Sequence, residues 1–508
     1  MIFLCAQPDE YYFLWQIELL TYNLNSLGIP SRDIHVVIGY NPRMGLSVEF
    51  QRFIRDNRYA NYYPYPDTRK DRTYIPSIKP HLIAKHLRKY PDLENEVFFL
   101  HDSDVVFRDI KNFAQLEEDE AWYCSDTRSY LSCEYINRTI GKVGLSEMCN
   151  VVGILPETAE KNDGSAGGAQ YIIENAKSSF WQKVEKDSTQ LYKVLLRYAK
   201  AVRKDRGFEG ISRQEIQPWC AEMWATWWNT LLFQINFKIS AEMDFCWADS
   251  PIRRWKETRI LHYTGSFSKE EEKVFNKGKF ILYAPFYADL ERIDPESCSY
   301  ALKEVPTSYA ETKKERRHNL DDFTFLILAG TCSGESKENL DILGKYLSLS
   351  LKTNFLTVEI SADGKFENEL QSILTSKVDT PFVCVHQCDY ILSIEQIIRA
   401  ADLLRRGRHP VVYPYDGNIF RVDRLMSSMF ARLVDPMFLA ANSGKCHYCD
   451  DQLANAVVFI KSGSDRAGSE AIKCGRSVLR LDRREFEMDE GRLDKVKKVP
   501  GNLFRLPG

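Results

Sequence analysis

Short apolar runs alternate with amphipathic stretches of helical period along most of this chain. Residues 1–6 read as a strand, residues 12–27 as an amphipathic helix and residues 34–38 as a second strand. Helical spacing recurs over residues 46–57 and 76–89, and Val97–Leu100 is a compact apolar run of the kind that fills a buried strand. Further on, residues 179–198 predict a helix pair, residues 200–213 a charged exposed loop and residues 220–234 an aromatic-rich helix. Residues 260–263 predict a short strand and residues 269–279 a charged surface helix. The βα pattern then restarts, with strands over residues 323–329, 355–360 and 381–386 and helices over 337–349, 366–375 and 394–405. Between the two stretches, Glu311-Thr-Lys-Lys-Glu-Arg-Arg-His318 is a charge run of the kind that solvates a linker. The expectation is an α/β protein of two tandem Rossmann-like domains with mostly parallel sheets, residues 1–305 and 322–508, joined by a linker at 306–321. No repeat of 20–50 residues is visible.

The most telling break in the pattern is where Val97–Leu100 ends abruptly in His101-Asp102-Ser103-Asp104, before Val105-Val106-Phe107 resumes. Carboxylates at i and i+2 lie on one side of an extended chain. The C-terminal end of a strand is also where open α/β sheets bind ligands. Two hard oxygen donors there suit Mn²⁺ or Mg²⁺ held jointly with substrate phosphates. The competing reading is an Asx turn closing the strand.

Composition narrows the classes. At 508 residues the chain is too long for one core. A net charge of −3 offers no reason to expect nucleic acid or an anionic membrane as partner. No apolar stretch reaches the roughly 18 residues of a transmembrane segment. The first residues, Met1-Ile-Phe-Leu-Cys-Ala-Gln-Pro-Asp-Glu10, lack the basic start of a signal peptide. The 13 cysteines are scattered and odd in number, which reads as reduced thiols and a cytoplasmic location. Cys446-His-Tyr-Cys449 has C-x-x-C spacing without a second pair to complete a zinc site.

Several segments, in order, carry a resemblance: Trp15-Gln16, Lys79-Pro80, Asp102-Ser103-Asp104, Ala166-Gly-Gly-Ala-Gln-Tyr-Ile172, Glu222-Met223-Trp224 and His262-Tyr-Thr-Gly265. Together they make residues 1–300 resemble the GT-A glycosyltransferases that include hydroxyproline O-arabinosyltransferases and peptidyl-serine α-galactosyltransferases. The resemblance implies transfer of a hexose or pentose from a UDP-sugar to a hydroxyl of a glycan or glycoprotein acceptor, with retention of configuration favoured. It implies Asp102, Asp104 and His262 as metal ligands. Gln7, Lys79, Asp102, Gly167 and Gly168 are then expected around the nucleotide. Gly167 and Gly168 would let backbone approach a ligand closely. Gln170 and Glu222 are expected to contact sugar, and Asp163 either faces the sugar or only shapes the Asn162-Asp-Gly164 turn. Burying Glu222 among tryptophans is costly without a partner.

Residues 322–508 resemble a family 2-like GT-A domain more loosely. His386-Gln-Cys-Asp389 falls where such domains hold metal, but Gln387 replaces the first carboxylate and leaves Asp389 as the donor-binding candidate. Glu470, in Arg466-Ala-Gly-Ser-Glu, falls where these enzymes place an acceptor-site base. Three readings stay open for this half: a second transferase, a metal-independent one, or a degenerate binding module. For the whole chain the alternatives are a carbohydrate-binding or scaffold protein on inactive folds, and a nucleotidyltransferase or sugar-phosphate hydrolase. The latter would want further carboxylates for two metals.

Overall fold

A computed structural model of the chain describes all residues except 118, 210–214, 265–272, 281–283, 288–289, 316, 331–333, 361–371, 375, 408, 416–417, 423, 434–446, 450–456, 463–470, 474–476 and 482–508. The chain forms two compact units, Met1–Lys279 with Leu290–Val305, and Phe280–Asp289 with Pro306–Gly508. Both are α/β with largely parallel sheets, the fold class the alternation predicts.

The first unit is built on ten strands: β1 (Ile2–Pro8), β2 (Ile34–Tyr40), β3 (Asn61–Pro66), β4 (Phe98–His101), β5 (Val105–Phe107), β6 (Trp122–Asp126), β7 (Gly167–Ile173), β8 (Phe237–Ile239), β9 (Phe245–Trp247) and β10 (Ile260–His262). Seven form the main sheet in the order β3-β2-β1-β4-β7-β6-β8. From β3 to β4 the pairing is parallel; β7 runs antiparallel to both β4 and β6, and β8 is parallel to β6. β1 reads as a continuous apolar run because helices cover both of its faces. Its side chains alternate between two cores: Leu4 and Ala6 pack on one face with Leu82, Trp224 and Trp228, whereas Phe3 and Cys5 pack on the other with Ile17, Leu20 and Phe50.

This order creates a switch point. The chain moves outward from β1 to β2 and β3, then returns to lay β4 on the opposite side of β1. The carboxyl ends of β1 and β4 meet at this point, the place where open α/β sheets bind ligands. A second sheet, β5-β10-β9, begins just beyond it.

The second unit contains β11 (His318–Gly330), β12 (Leu351–Ile360), β13 (Phe382–Gln387), β14 (Tyr390–Ile391), β15 (Val411–Tyr413), β16 (Asn418–Val422), β17 (His447–Cys449), β18 (Val457–Lys461), β19 (Ala471–Lys473) and β20 (Ser477–Leu481). Its sheets run β12-β11-β13-β18-β15-β19 and β14-β20-β16-β17. The helix Ile394–Arg405 starts on a full capping box, Ser393 and Gln396 each bonding the other's backbone.

Several expectations change. The helix pair and charged loop over residues 179–213 are one helix, Ser178–Glu209, as far as the described residues reach. The charge run read as a linker is the end of the helix Cys298–Glu315, and β11 begins at His318. In both places a solvated helix face and a solvated loop share one composition, and charge alone does not separate them. The surface helix expected over residues 269–279 is, where described, a turn followed by a 3-10 turn starting at Lys277. Strands β3 and β6 and the helix Cys133–Val152 had no clear periodic signal. That helix breaks at Gly141, whose φ of 75° departs from helical geometry.

Candidate functional site

The centre of the site is the turn Asp102-Ser103-Asp104 between β4 and β5. Its backbone is braced from two sides. Ser103 Oγ donates to Gln16 Oε1 at 2.9 Å, and Gln16 Nε2 donates to Tyr12 O at 2.8 Å. The Tyr263 amide donates to Asp104 O at 3.0 Å, and Tyr263 Oη to Ser103 O at 3.3 Å. Trp15 stacks on Tyr263. The Trp15-Gln16 segment therefore holds the turn in shape.

Strand register brings in the third member. β10 runs antiparallel to β5 with His262 opposite Val105, the residue after Asp104. One ligand atom each from Asp102, Asp104 and His262 lie within 4.8 Å of one another. His262 Nε2 is 3.3 Å from Asp104 Oδ1, and the ring stacks on Trp247 at 5.4 Å between centroids. Two carboxylate oxygens and one imidazole nitrogen fit Mn²⁺, or Mg²⁺ with less help from nitrogen. A six-coordinate ion held by three protein ligands keeps positions for substrate oxygens and water.

Two ammonium groups share the site with these carboxylates. Lys79 Nζ lies 2.9 Å from Asp102 Oδ1 and 3.2 Å from Glu222 Oε2. Burial works against its charge, but the two carboxylates outweigh burial and hold its pKa above the ordinary value. Lys277 is paired with Asp104. Burial alone would raise the Asp104 pKa, yet the Lys277 ammonium beside it holds it well below the carboxylate range. Glu222 thus avoids the cost of an unpaired buried charge. Besides Lys79, its Oε1 accepts from Thr226 at 3.3 Å, and its own amide donates to Tyr74 Oη at 3.0 Å.

Gln170 takes a place the sequence did not suggest. It is fully buried, and both ends of its amide have protein partners, Ser125 Oγ at 2.7 Å and His262 Nδ1 at 3.3 Å. Ser125 Oγ is also 2.7 Å from Met243 O, which can only accept. A serine hydroxyl carries one proton. The amide lies with Oε1 towards Ser125 and Nε2 towards His262; if the serine proton goes to Met243, the amide must turn over and present its NH₂ to Ser125 and its oxygen to His262. His262 Nδ1 then carries the hydrogen, and the Nε2 lone pair faces the carboxylates. That is the tautomer a metal ligand needs. No face of the Gln170 side chain reaches solvent, and its partners are Ser125 and His262.

The remaining candidates separate. Gln7 is buried near the end of β1, two residues past Cys5, which pairs with His101. Gly167 and Gly168 lie inside β7, where the close approach they permit is to protein. A Cβ on Gly168 would sit 2.5 Å from Met223 Cε, and one on Gly167 would meet Cys124 Sγ and lie 2.8 Å from Ser125 O. Asp163 accepts from the Cys133 amide at 2.6 Å, at the start of the helix Cys133–Val152. Asp389 follows β13 in the second unit. Glu470 and Cys446 lie outside the described residues.

Lys277, Ser125 and Tyr171 were not foreseen. Lys277 lay in what read as a charged surface, Ser125 carries no motif, and Tyr171 stood in the Ala166–Ile172 segment with no role of its own. Tyr171 Oη is buried without a partner, and burial together with Glu222 raises its pKa far above the ordinary value.

No protein-family model matches the chain, and no curated protein matches it. Among solved structures, the chain is similar in part to the apo structure of WbbM, a bifunctional glycosyltransferase, with a TM-score of 0.33 and 9% identity over 60% of this chain and 49% of that one. The chain thus spans about half of that protein's length. A likeness this low carries no argument about activity. No described helix is long and apolar enough to cross a membrane.

Proposed function

We propose that the chain is a glycosyltransferase that uses a divalent metal, Mn²⁺ by preference, to move a sugar from a nucleoside diphosphate donor such as a UDP-sugar to a hydroxyl of a glycan or protein acceptor. The observation that carries this reading is the Asp102, Asp104 and His262 cluster beside the switch point of a largely parallel sheet. When bound, the ion supplies Lewis-acid charge neutralisation for a departing diphosphate. Lys79 and Lys277 add fixed positive charge beside the same carboxylates. Glu222 holds Lys79 in place, Thr226 bonds Glu222, and Gln170 lies against His262 Nδ1. Nothing else among the described residues gathers three metal-type ligands, which disfavours two-metal nucleotidyl transfer or hydrolysis.

The test is donor turnover. UDP-galactose, UDP-glucose and UDP-arabinose are screened for hydrolysis or transfer with and without Mn²⁺. Asp104→Ala is expected to abolish turnover and Mn²⁺ binding while the protein stays folded. Full turnover in EDTA refutes the proposal. Stoichiometric glycan binding with no turnover of any donor favours the alternative of a carbohydrate-binding protein on a transferase-like fold.

A further inference from the structure

The larger sheet of the second unit repeats six of the seven strands of the first unit's main sheet. In the first, β2-β1-β4-β7-β6-β8 are related in turn as parallel, parallel, antiparallel, antiparallel and parallel. In the second, β12-β11-β13-β18-β15-β19 show the same five relations, and the chain visits the strands in the same order. The small sheets agree as well, β14 lying antiparallel to β20 as β5 does to β10.

A side chain fixes the alignment. His101 and His386 are both buried near the ends of β4 and β13, the strands that correspond. Each ring places Nδ1 close to the carbonyl oxygen of the next residue, 3.0 Å in one and 2.9 Å in the other, and each leaves Nε2 without a partner. Counting on from the histidines, Asp102-Ser103-Asp104 corresponds to Gln387-Cys388-Asp389, and Val105 to Tyr390. Across the small sheet, Val105 stands opposite His262, whereas Tyr390 stands opposite Arg480. The three positions that form the metal cluster in the first unit are therefore Gln387, Asp389 and Arg480 in the second.

The formal charges differ accordingly. Asp102, Asp104 and neutral His262 sum to −2, which a dication balances. Gln387, Asp389 and Arg480 sum to zero, and a guanidinium has no lone pair for a metal. Its planar fork instead matches phosphate oxygens. We propose that the second unit binds a diphosphate-bearing ligand at this position without a divalent cation, Arg480 supplying the positive charge. The comparison rests on the metal reading of the first unit, and the experiment separates the two.

Full-length protein carrying Asp104→Ala is titrated in excess EDTA with UDP, GDP and inorganic pyrophosphate, by calorimetry and thermal melting. At least one probe is expected to bind. Adding Arg480→Ala is expected to weaken it tenfold or more, and adding Arg480→Lys to weaken it less. Mn²⁺ titration of the unsubstituted chain is expected to show one site. Gln387→Asp with Arg480→His, which rebuilds the ligand set, is expected to show two. The proposal is overturned by absence of probe binding in EDTA, by binding that Arg480→Ala leaves unchanged, or by a second Mn²⁺ that Asp389→Ala removes. If the unsubstituted chain binds no Mn²⁺ while an Arg480-dependent probe still binds in EDTA, the metal reading of the first unit fails and this proposal stands.

Discussion

Replacing Gln170 by leucine tests how the candidate metal site is prepared. The side chain is fully buried between Ser125 and His262, and leucine has similar bulk, so little cavity forms. With the amide turned over, as a Ser125 proton given to Met243 requires, what is lost is the acceptor for the His262 Nδ1 hydrogen and the donor to Ser125. Ser125 keeps its bond to Met243 O at 2.7 Å. His262 is left with a buried N–H that has no partner, a cost of about 1–3 kcal/mol. The ring can escape by moving its hydrogen to Nε2 and donating to Asp104, 3.3 Å away. Nε2 is then blocked for a metal. Loss of an outer-shell partner of this kind lowers metal affinity by about 10–100-fold. That factor is about 1.4–2.7 kcal/mol, in the range of the orphaned hydrogen. Mn²⁺ binding would be followed by loss of the free-ion paramagnetic resonance signal, and stability of the metal-free protein by urea unfolding. Gln170→Glu keeps an acceptor at Nδ1 and should hold Mn²⁺ within a few-fold of the unsubstituted protein. Nitrogen-15 spectra of histidine-labelled, metal-free protein, assigned with His262→Ala, should show Nδ1 protonated. Unchanged Mn²⁺ affinity in Gln170→Leu, or Nε2 protonation in the parent, would refute the reasoning.

Lys79→Met leaves Asp102 and Glu222 without their shared cation, and metal-free stability should fall by about 3–5 kcal/mol, the usual cost of breaking a buried pair. Mn²⁺ should restore part of this, so equal urea midpoints with and without the ion would count against a metal beside Asp102. His86 is buried against Tyr65 and His35, and burial lowers its pKa to about 3. The unfolded chain takes up that proton near 6.5. The unfolded state therefore binds more protons between those values. Stability is fully present above about pH 6.5 and falls as pH drops. Between pH 7.5 and 5 this one residue should cost about 2 kcal/mol, and a profile unchanged in His86→Gln would exclude it as the source. Gly167→Ala should destabilise more than Gly168→Ala. The first meets the rigid Ser125 carbonyl and the second the movable Met223 methyl. Equal melting temperatures would contradict that ranking.

Much of the architecture is written in local pattern. The apolar run of β4 and the abrupt Asp102-Ser103-Asp104 mark both a buried strand and its ligand-facing end, because apolar runs need burial and paired carboxylates need solvent or a cation. The helices Tyr11–Ser26, Ile78–Lys89, Ala221–Leu232 and Ile394–Arg405 follow from their apolar spacing. Charge-rich stretches mislead, since Lys200–Glu209 and Glu311–Glu315 are helical although their composition suits a loop equally well. The partners of the site are a different matter. Asp104 meets His262 across 158 positions of sequence only because β5 and β10 pair in one register, and a slip of one residue would turn His262 to the other face. Lys79 joins Glu222, and Gln170 joins His262, through packing that no spacing in the sequence encodes. The sequence names the carboxylates; sheet order, register and burial decide which cations and which histidine tautomer face them.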